Sequence, residues 1–183
     1  MIVHTVGHST HALADFMALL ESHAIRTVAD VRRFPASRRH PHFAREALAR
    51  ALAEQGIAYE WFPDLGGRRP ARPDSPHTAW RLAAFRGYAD YMETREFQEA
   101  LARLTALAAA QSTTVMCAEA VPWRCHRQLI ADALLVRDVD VRHVTAPTKW
   151  QPHHLTPFAR VESTRVVYDD GQPSLPGPPP RKS

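Results

Sequence analysis

The sequence predicts a single α/β domain: a mainly parallel five-stranded sheet with helices on both faces. Three observations predict it. Short β-rich runs alternate with helical patterns five times over, the alternation that builds parallel sheets. The chain has 183 residues, of which 45% are hydrophobic and 23% charged, enough apolar material for one large core. After Pro147 the composition shifts to Pro, Ser and Gly. The expected organisation is therefore an α/β domain over 1–148 and a Pro-rich C-terminal extension over 149–183, disordered at its end.

Ile2-Val3-His4-Thr5-Val6 reads as the first strand and ends at Gly7. Leu13, Phe16, Met17 and Leu20 then recur at helical spacing behind Ser9 and Thr10, residue types suited to helix starts. Thr27 to Val31 is the second strand. Phe43, Ala47, Leu48, Ala51 and Leu52 mark a helix closed by Gly56, since glycine is favoured just past a helix end. Ile57 to Phe62 is the third strand. Residues 63–84 carry five prolines and glycines before Pro76 and no apolar period, which predicts a mobile cover over a binding crevice. Tyr88, Tyr91 and Met92 indicate a short helix, and Phe97, Leu101, Leu104 and Leu107 a longer one from Thr94. Thr113 to Met116 is the fourth strand, Leu129 to Leu134 a helix following Pro122, and Val139 to Val144 the fifth strand. The pattern as a whole is Rossmann-like.

Charge and cysteine content bound the function. The net charge is +4 with histidines neutral, too small to require nucleic acid as a partner. Arginine outnumbers lysine 21 to 2, a ratio that codon usage alone explains, although codon usage does not explain placement. No apolar run approaches 18 residues and no leader is visible, so a cytoplasmic protein without a membrane partner is expected. Two cysteines, Cys117 and Cys125, make no disulfide framework and are expected as thiols.

In an open parallel sheet, ligands bind beyond the carboxyl ends of the strands where the strand order reverses. The segments there are Gly7 to His11, Arg32 to His40, Asp64 to Arg69 and Cys117 to Arg127. An order 3-2-1-4-5 makes strands one and four neighbours at the reversal, with His8, Ser9, Cys117 and Glu119 facing one crevice. Each residue also has a plain structural reading. His8 suits a hydrogen-bonded strand end, Cys117 a small buried hydrophobe, and the arginines a solvated rim. Glu119 is harder to set aside, because a carboxylate there must be solvated, paired or working.

Gly7-His8-Ser9-Thr10, Asp30-Val31-Arg32 with Phe34-Pro35 and Ser37-Arg38-Arg39, Leu65-Gly66-Gly67-Arg68, Phe85 to Met92, and above all Met116-Cys117-Ala118-Glu119 with Pro122 to Arg127 resemble the bacterial domain-of-unknown-function family 488. The resemblance runs from residue 2 to about 146. It implies a cytoplasmic α/β protein and carries no established activity.

The expected function is an enzyme acting on an anionic small molecule, phosphate-bearing or nucleotide-like, as hydrolase or transferase. Glu119 is the expected general base or nucleophile, Cys117 an alternative nucleophile and His8 an acid–base partner. Ser9, Arg32, Arg38, Arg39, Arg68, Arg124 and Arg127 are expected to bind the anion, with Arg69 and Arg86 nearby. A helix starting near Pro122 would add N–H donors. The segment after Cys117 resembles phosphatase loops, but its arginine stands seven positions on rather than six. Two other classes stay open. His8, His11, Cys117, Glu119, Cys125 and His126 suit a metal of the zinc or iron kind, though their spacing matches no finger or ribbon. Arginine loops with Trp61, Trp80 and Trp123 could bind nucleic acid without chemistry. The sequence names no cofactor.

Overall fold

A computed structural model describes residues 1–36 and 39–169. Six strands form the main sheet: β1 (Ile2–Gly7), β2 (Thr27–Asp30), β3 (Ala58–Trp61), β4 (Thr113–Cys117), β5 (Asp140–Ala146) and β6 (Lys149–Pro152). Their order is β3-β2-β4-β1-β5-β6, with only the β5–β6 pair antiparallel. The expected order had β1 and β4 exchanged. All five residues of β4 are buried, which suits a strand flanked on both sides and covered on both faces. The adjacency that matters survives, because β1 pairs with β4 from Val3–Thr113 to Gly7–Cys117.

Helices α1 (Leu13–Ser22) and α2 (Arg45–Glu54) cover one face. Their Phe16, Leu20, Leu48 and Leu52 pack with Val6, Val28 and Met116. Helices α3 (Ala83–Tyr91), α4 (Arg95–Ala110) and α5 (Arg127–Leu135) cover the other, packing Tyr88, Phe97, Leu104 and Ile130 onto Val3, Ala29 and Val115. Each such side chain contributes about 1.5–3 kcal/mol by leaving water. The chain thus moves toward β3 through α1 and α2, then turns back through the opposite layer. The reversal falls between β1 and β4, where the topological rule locates a ligand crevice.

Two local expectations are corrected. The helix expected near Pro122 begins at Arg127, because Pro122–Arg124 make a single 3-10 turn and Cys125 is extended (φ −131°, ψ 150°). The segment 63–84 is not a loose cover. Leu65 is buried, the Arg72 N–H donates to the Asp90 carboxylate at 2.8 Å, and fully buried His77 accepts from the Tyr168 N–H at 3.2 Å. Trp80 stacks on Phe85, with ring centroids 4.8 Å apart. A Cβ on Gly87 would stand 2.2 Å from the Arg69 carbonyl oxygen, so only glycine lets this segment lie against α3. Two of these anchors are polar and the apolar ones, Leu65 and Trp80, are too far apart to form a period, which is why an apolar period missed them.

Residues beyond 148 also pack. β5 and β6 form one hairpin, so the expected boundary falls inside its turn. A second hairpin, β7 (Arg160–Glu162) with β8 (Arg165–Val167), leads Val166 and Tyr168 into the core. The Pro-rich end from 170 lies outside the described residues. A chain of hydrogen bonds ties this region down. Arg127 donates to Thr5 Oγ1 (3.4 Å), Thr5 to His143 Nδ1 (2.7 Å), His143 Nε2 to His153 Nδ1 (3.0 Å), and His153 Nε2 to Asp132 (2.8 Å). Asp132 also accepts from the Thr156 N–H and hydroxyl and from the Tyr168 hydroxyl. Burial holds His143 low, at about 4, helped by neighbouring His153 and Arg127.

Candidate functional site

At the carboxyl ends of β1, β2 and β4 lies a crevice of two lobes. One, of about 510 Å³, is lined by Glu119, Arg124, Cys125, Phe85 and Tyr88. The other, of about 610 Å³, is lined by His8, Arg32, Arg33, Arg39 and His40. Ser9, Gly67, Arg68, Cys117, Ala118 and His126 belong to both. Two of these shared residues, Ser9 (φ 44°) and Arg68 (φ 61°), hold the left-handed backbone that side chains disfavour. Strain of this kind persists where surroundings enforce it and gathers at functional sites.

Strand pairing runs on past β1 and β4: the His8 and Ser9 N–H groups donate to the Cys117 and Ala118 carbonyls, each at 2.9 Å. Gly7 is needed here, since a Cβ would stand 1.9 Å from the Glu119 carbonyl oxygen. The two strand ends are therefore joined, but His8 and Glu119 line different lobes. His8 is 4% exposed and lies against Phe43. Its Nδ1 donates to the Ser9 carbonyl and its Nε2 accepts from Arg32, both at 3.1 Å. Burial, then Arg32, push its pKa down to about 4. Neutral and engaged at both nitrogens, it is a poor proton shuttle.

The expected arginines divide. Arg32, 7% exposed, spends its guanidinium on Asp30 (2.6–3.1 Å), His8 and the Phe43 carbonyl. Arg127, 1% exposed, ties down the Glu119 and Ala120 carbonyls. Arg69 lies over the Tyr91 ring (3.6 Å) and Arg86 holds the Trp80 carbonyl. All four are held by protein groups, although the buried Arg127 Nε has no partner among the described residues. Arg39, Arg68 and Arg124 are exposed on the crevice with no side-chain partner among the described residues. Arg38 lies outside the described residues. Arg33 was missed: it lines the arginine lobe and gives one N–H to the Arg68 carbonyl. Alternation past β2 was the available signal, since Arg32 points inward and Arg33 therefore outward.

At the junction stand Cys117, Cys125 and His126, whose ligand-capable atoms all lie within 4.8 Å of one another. His126 Nε2 donates to the Val31 carbonyl (3.1 Å), and Nδ1 faces Cys125 Sγ (3.6 Å). Side by side, the two thiols shift apart: the neighbouring Cys117 draws Cys125 well below the ordinary thiol range despite burial, and Cys125 together with burial holds Cys117 well above it. The sequence singles out Cys117 alone as the alternative nucleophile, and the structure sets Cys125 beside it. Glu119 is half-buried and accepts weakly from the Val121 N–H (3.4 Å). Of the wider metal candidates, His8, His11 and Glu119 lie outside this cluster.

Fold and site together define a class: a parallel α/β domain with a ligand crevice at its strand-order reversal, floored by a Cys-Cys-His cluster. The model of the family described as "Domain of unknown function DUF488" matches residues 12–134, more than half of the chain, and the chain belongs to that family. The match includes Arg33, Arg68 and Cys117 to His126, while Ser9 precedes it. No curated protein and no solved structure matches the chain. No helix among the described residues is long and apolar enough to cross a membrane.

Proposed function

We propose that the chain is an enzyme acting on an anionic small molecule, phosphate-bearing or nucleotide-like. One observation carries the reading: a lobe with unspent arginine donors meets, at Cys117, a lobe holding a carboxylate and thiols. The anionic group sits among Arg33, Arg39 and Arg68, which suit bidentate binding. The remainder crosses Cys117 toward Glu119, which takes or returns a proton, with Arg124 supplying positive charge at that lobe's rim. Phe85 and Tyr88 offer an apolar wall to the part that reacts. A cytoplasmic location, where both thiols stay reduced, goes with this reading.

The test is a thermal-shift panel pairing nucleotides and sugar phosphates with their unphosphorylated counterparts. At a hundredfold excess over Kd, a ligand should add about 2.7 kcal/mol to stability. Stabilisation by phosphorylated members alone is expected. Equal binding of the neutral counterparts, or none by either, would sink the proposal. Salt-steep binding of single-stranded nucleic acid would favour a binding module instead.

A further inference from the structure

We propose that Cys117, Cys125 and His126 form a three-ligand zinc site whose fourth position opens into the Glu119 lobe. The inference rests on the reading of the crevice as the reacting site and names what that site holds. The donor set fits: two sulfurs and an imidazole suit a borderline-soft divalent ion. Zinc bonds of about 2.3 Å to sulfur and 2.05 Å to nitrogen, in a tetrahedron, put S and N about 3.6 Å apart and two sulfurs about 3.8 Å apart. Cys125 Sγ and His126 Nδ1 already lie at 3.6 Å. With all ligand atoms within 4.8 Å of one another, closing on an ion needs shifts of about 1 Å at most.

The surroundings fit as well. A carbonyl can only accept, so the Val31 contact puts the ring proton on Nε2 and leaves the Nδ1 lone pair facing the sulfurs. Histidine ligands are generally oriented by such a bond from the other ring nitrogen. Gly67 lies against the ring, and a Cβ there would stand 3.0 Å from Nδ1. Both cysteines are buried, yet they line the cavity rather than packing only against core. The buried histidines His143 and His153 make the contrast, because their nitrogens are already used. Three protein ligands with an open fourth position mark catalytic rather than structural zinc, and the ion would supply a water of lowered pKa beside Glu119. A Cys-Cys-His zinc with a non-ligand glutamate is a working combination in hydrolytic deamination. That makes addition of water to an electrophilic carbon of the anionic substrate the reaction class to screen first.

The experiment is a zinc titration of the full chain after chelator treatment and reduction, followed by cobalt substitution. One equivalent of zinc per chain is expected, raising Tm reversibly, and cobalt should show the visible and sulfur charge-transfer bands of a tetrahedral thiolate site. Cys125→Ser and His126→Ala should lose that equivalent. Gly67→Ala should weaken it without touching a ligand, which keeps the test open if the ligand variants fail to fold. A reduced wild-type chain that binds no zinc, or a Cys125→Ser chain that keeps it, overturns the site. Zinc bound with no response to phosphorylated ligands would instead remove the anionic-substrate reading, and phosphate-specific binding by a reduced chain that takes up no zinc when titrated would remove the zinc site alone.

Discussion

Two buried polar clusters of the molecule differ in one respect. In the cluster of Thr5, His143, His153 and Asp132, each donor meets an acceptor, and Thr156 and Tyr168 use the rest of the carboxylate. In the cluster of Cys117, Cys125 and His126, the backbone holds His126 Nε2 at Val31 and the Cys117 sulfur at Glu119, and the remaining groups face one another and a cavity. Residue type does not separate them, since His and Asp look more catalytic on paper than Cys. Closure does. A satisfied network in low dielectric fixes a fold, whereas potential ligands left facing open space are available for chemistry.

The largest effect that tests this contrast is on turnover. Glu119→Gln keeps the shape and removes the charge, so activity on whatever substrate the panel returns should fall about 10²–10⁴-fold, with the unfolding midpoint unchanged. Retained activity would move the search to the thiols.

Next comes stability. Asp132→Ala leaves His153, Thr156 and Tyr168 facing an empty acceptor site and should cost about 3–5 kcal/mol in urea unfolding. Cys125→Ser should cost about 1 kcal/mol. Equal losses would erase the distinction between the clusters.

A third check is pH. His143 is neutral in the fold, held at about 4 by burial and by His153 and Arg127, but takes a proton near 6.5 when unfolded. Between those values the unfolded chain binds more protons, so stability falls as pH drops from about 6.5 to 4 and this contribution stays lost below. His143→Gln should show a shallower fall in Tm over that window than the wild type. Parallel curves would mean that other groups set the acid limit.

The smallest effect concerns the rim. Arg39→Ala should weaken binding of a phosphorylated ligand about tenfold, or 1.4 kcal/mol, while stability stays within about 0.5 kcal/mol. A large stability loss would place Arg39 with Arg32 as architecture.

Helices and strands were legible because one-sided burial writes a period into the chain: Leu48 and Leu52 lie one helical turn apart, and both are buried. The crevice was legible because strand-end segments rich in Gly, Arg, Cys and Glu stand apart from apolar runs. The uses of individual groups were not. Arg32 and Arg33 are adjacent in sequence, yet the first is consumed by Asp30 and His8 and the second faces the cavity. His77 anchors the 63–84 segment through Tyr168, a partner 91 residues away.

By itself, then, the sequence determined the alternation of elements, the family, and the sheet edge where chemistry collects, all of which follow from local period and composition. Only the tertiary structure decided that β4 lies between β2 and β1, that residues 149–169 complete the domain, and that Cys117, Cys125 and His126 converge while His8 and Arg32 are spent. The physical reason is that strand order and hydrogen-bond use are contests among residues far apart in the chain. A local pattern records that a group is buried, and not which distant group has claimed its donors.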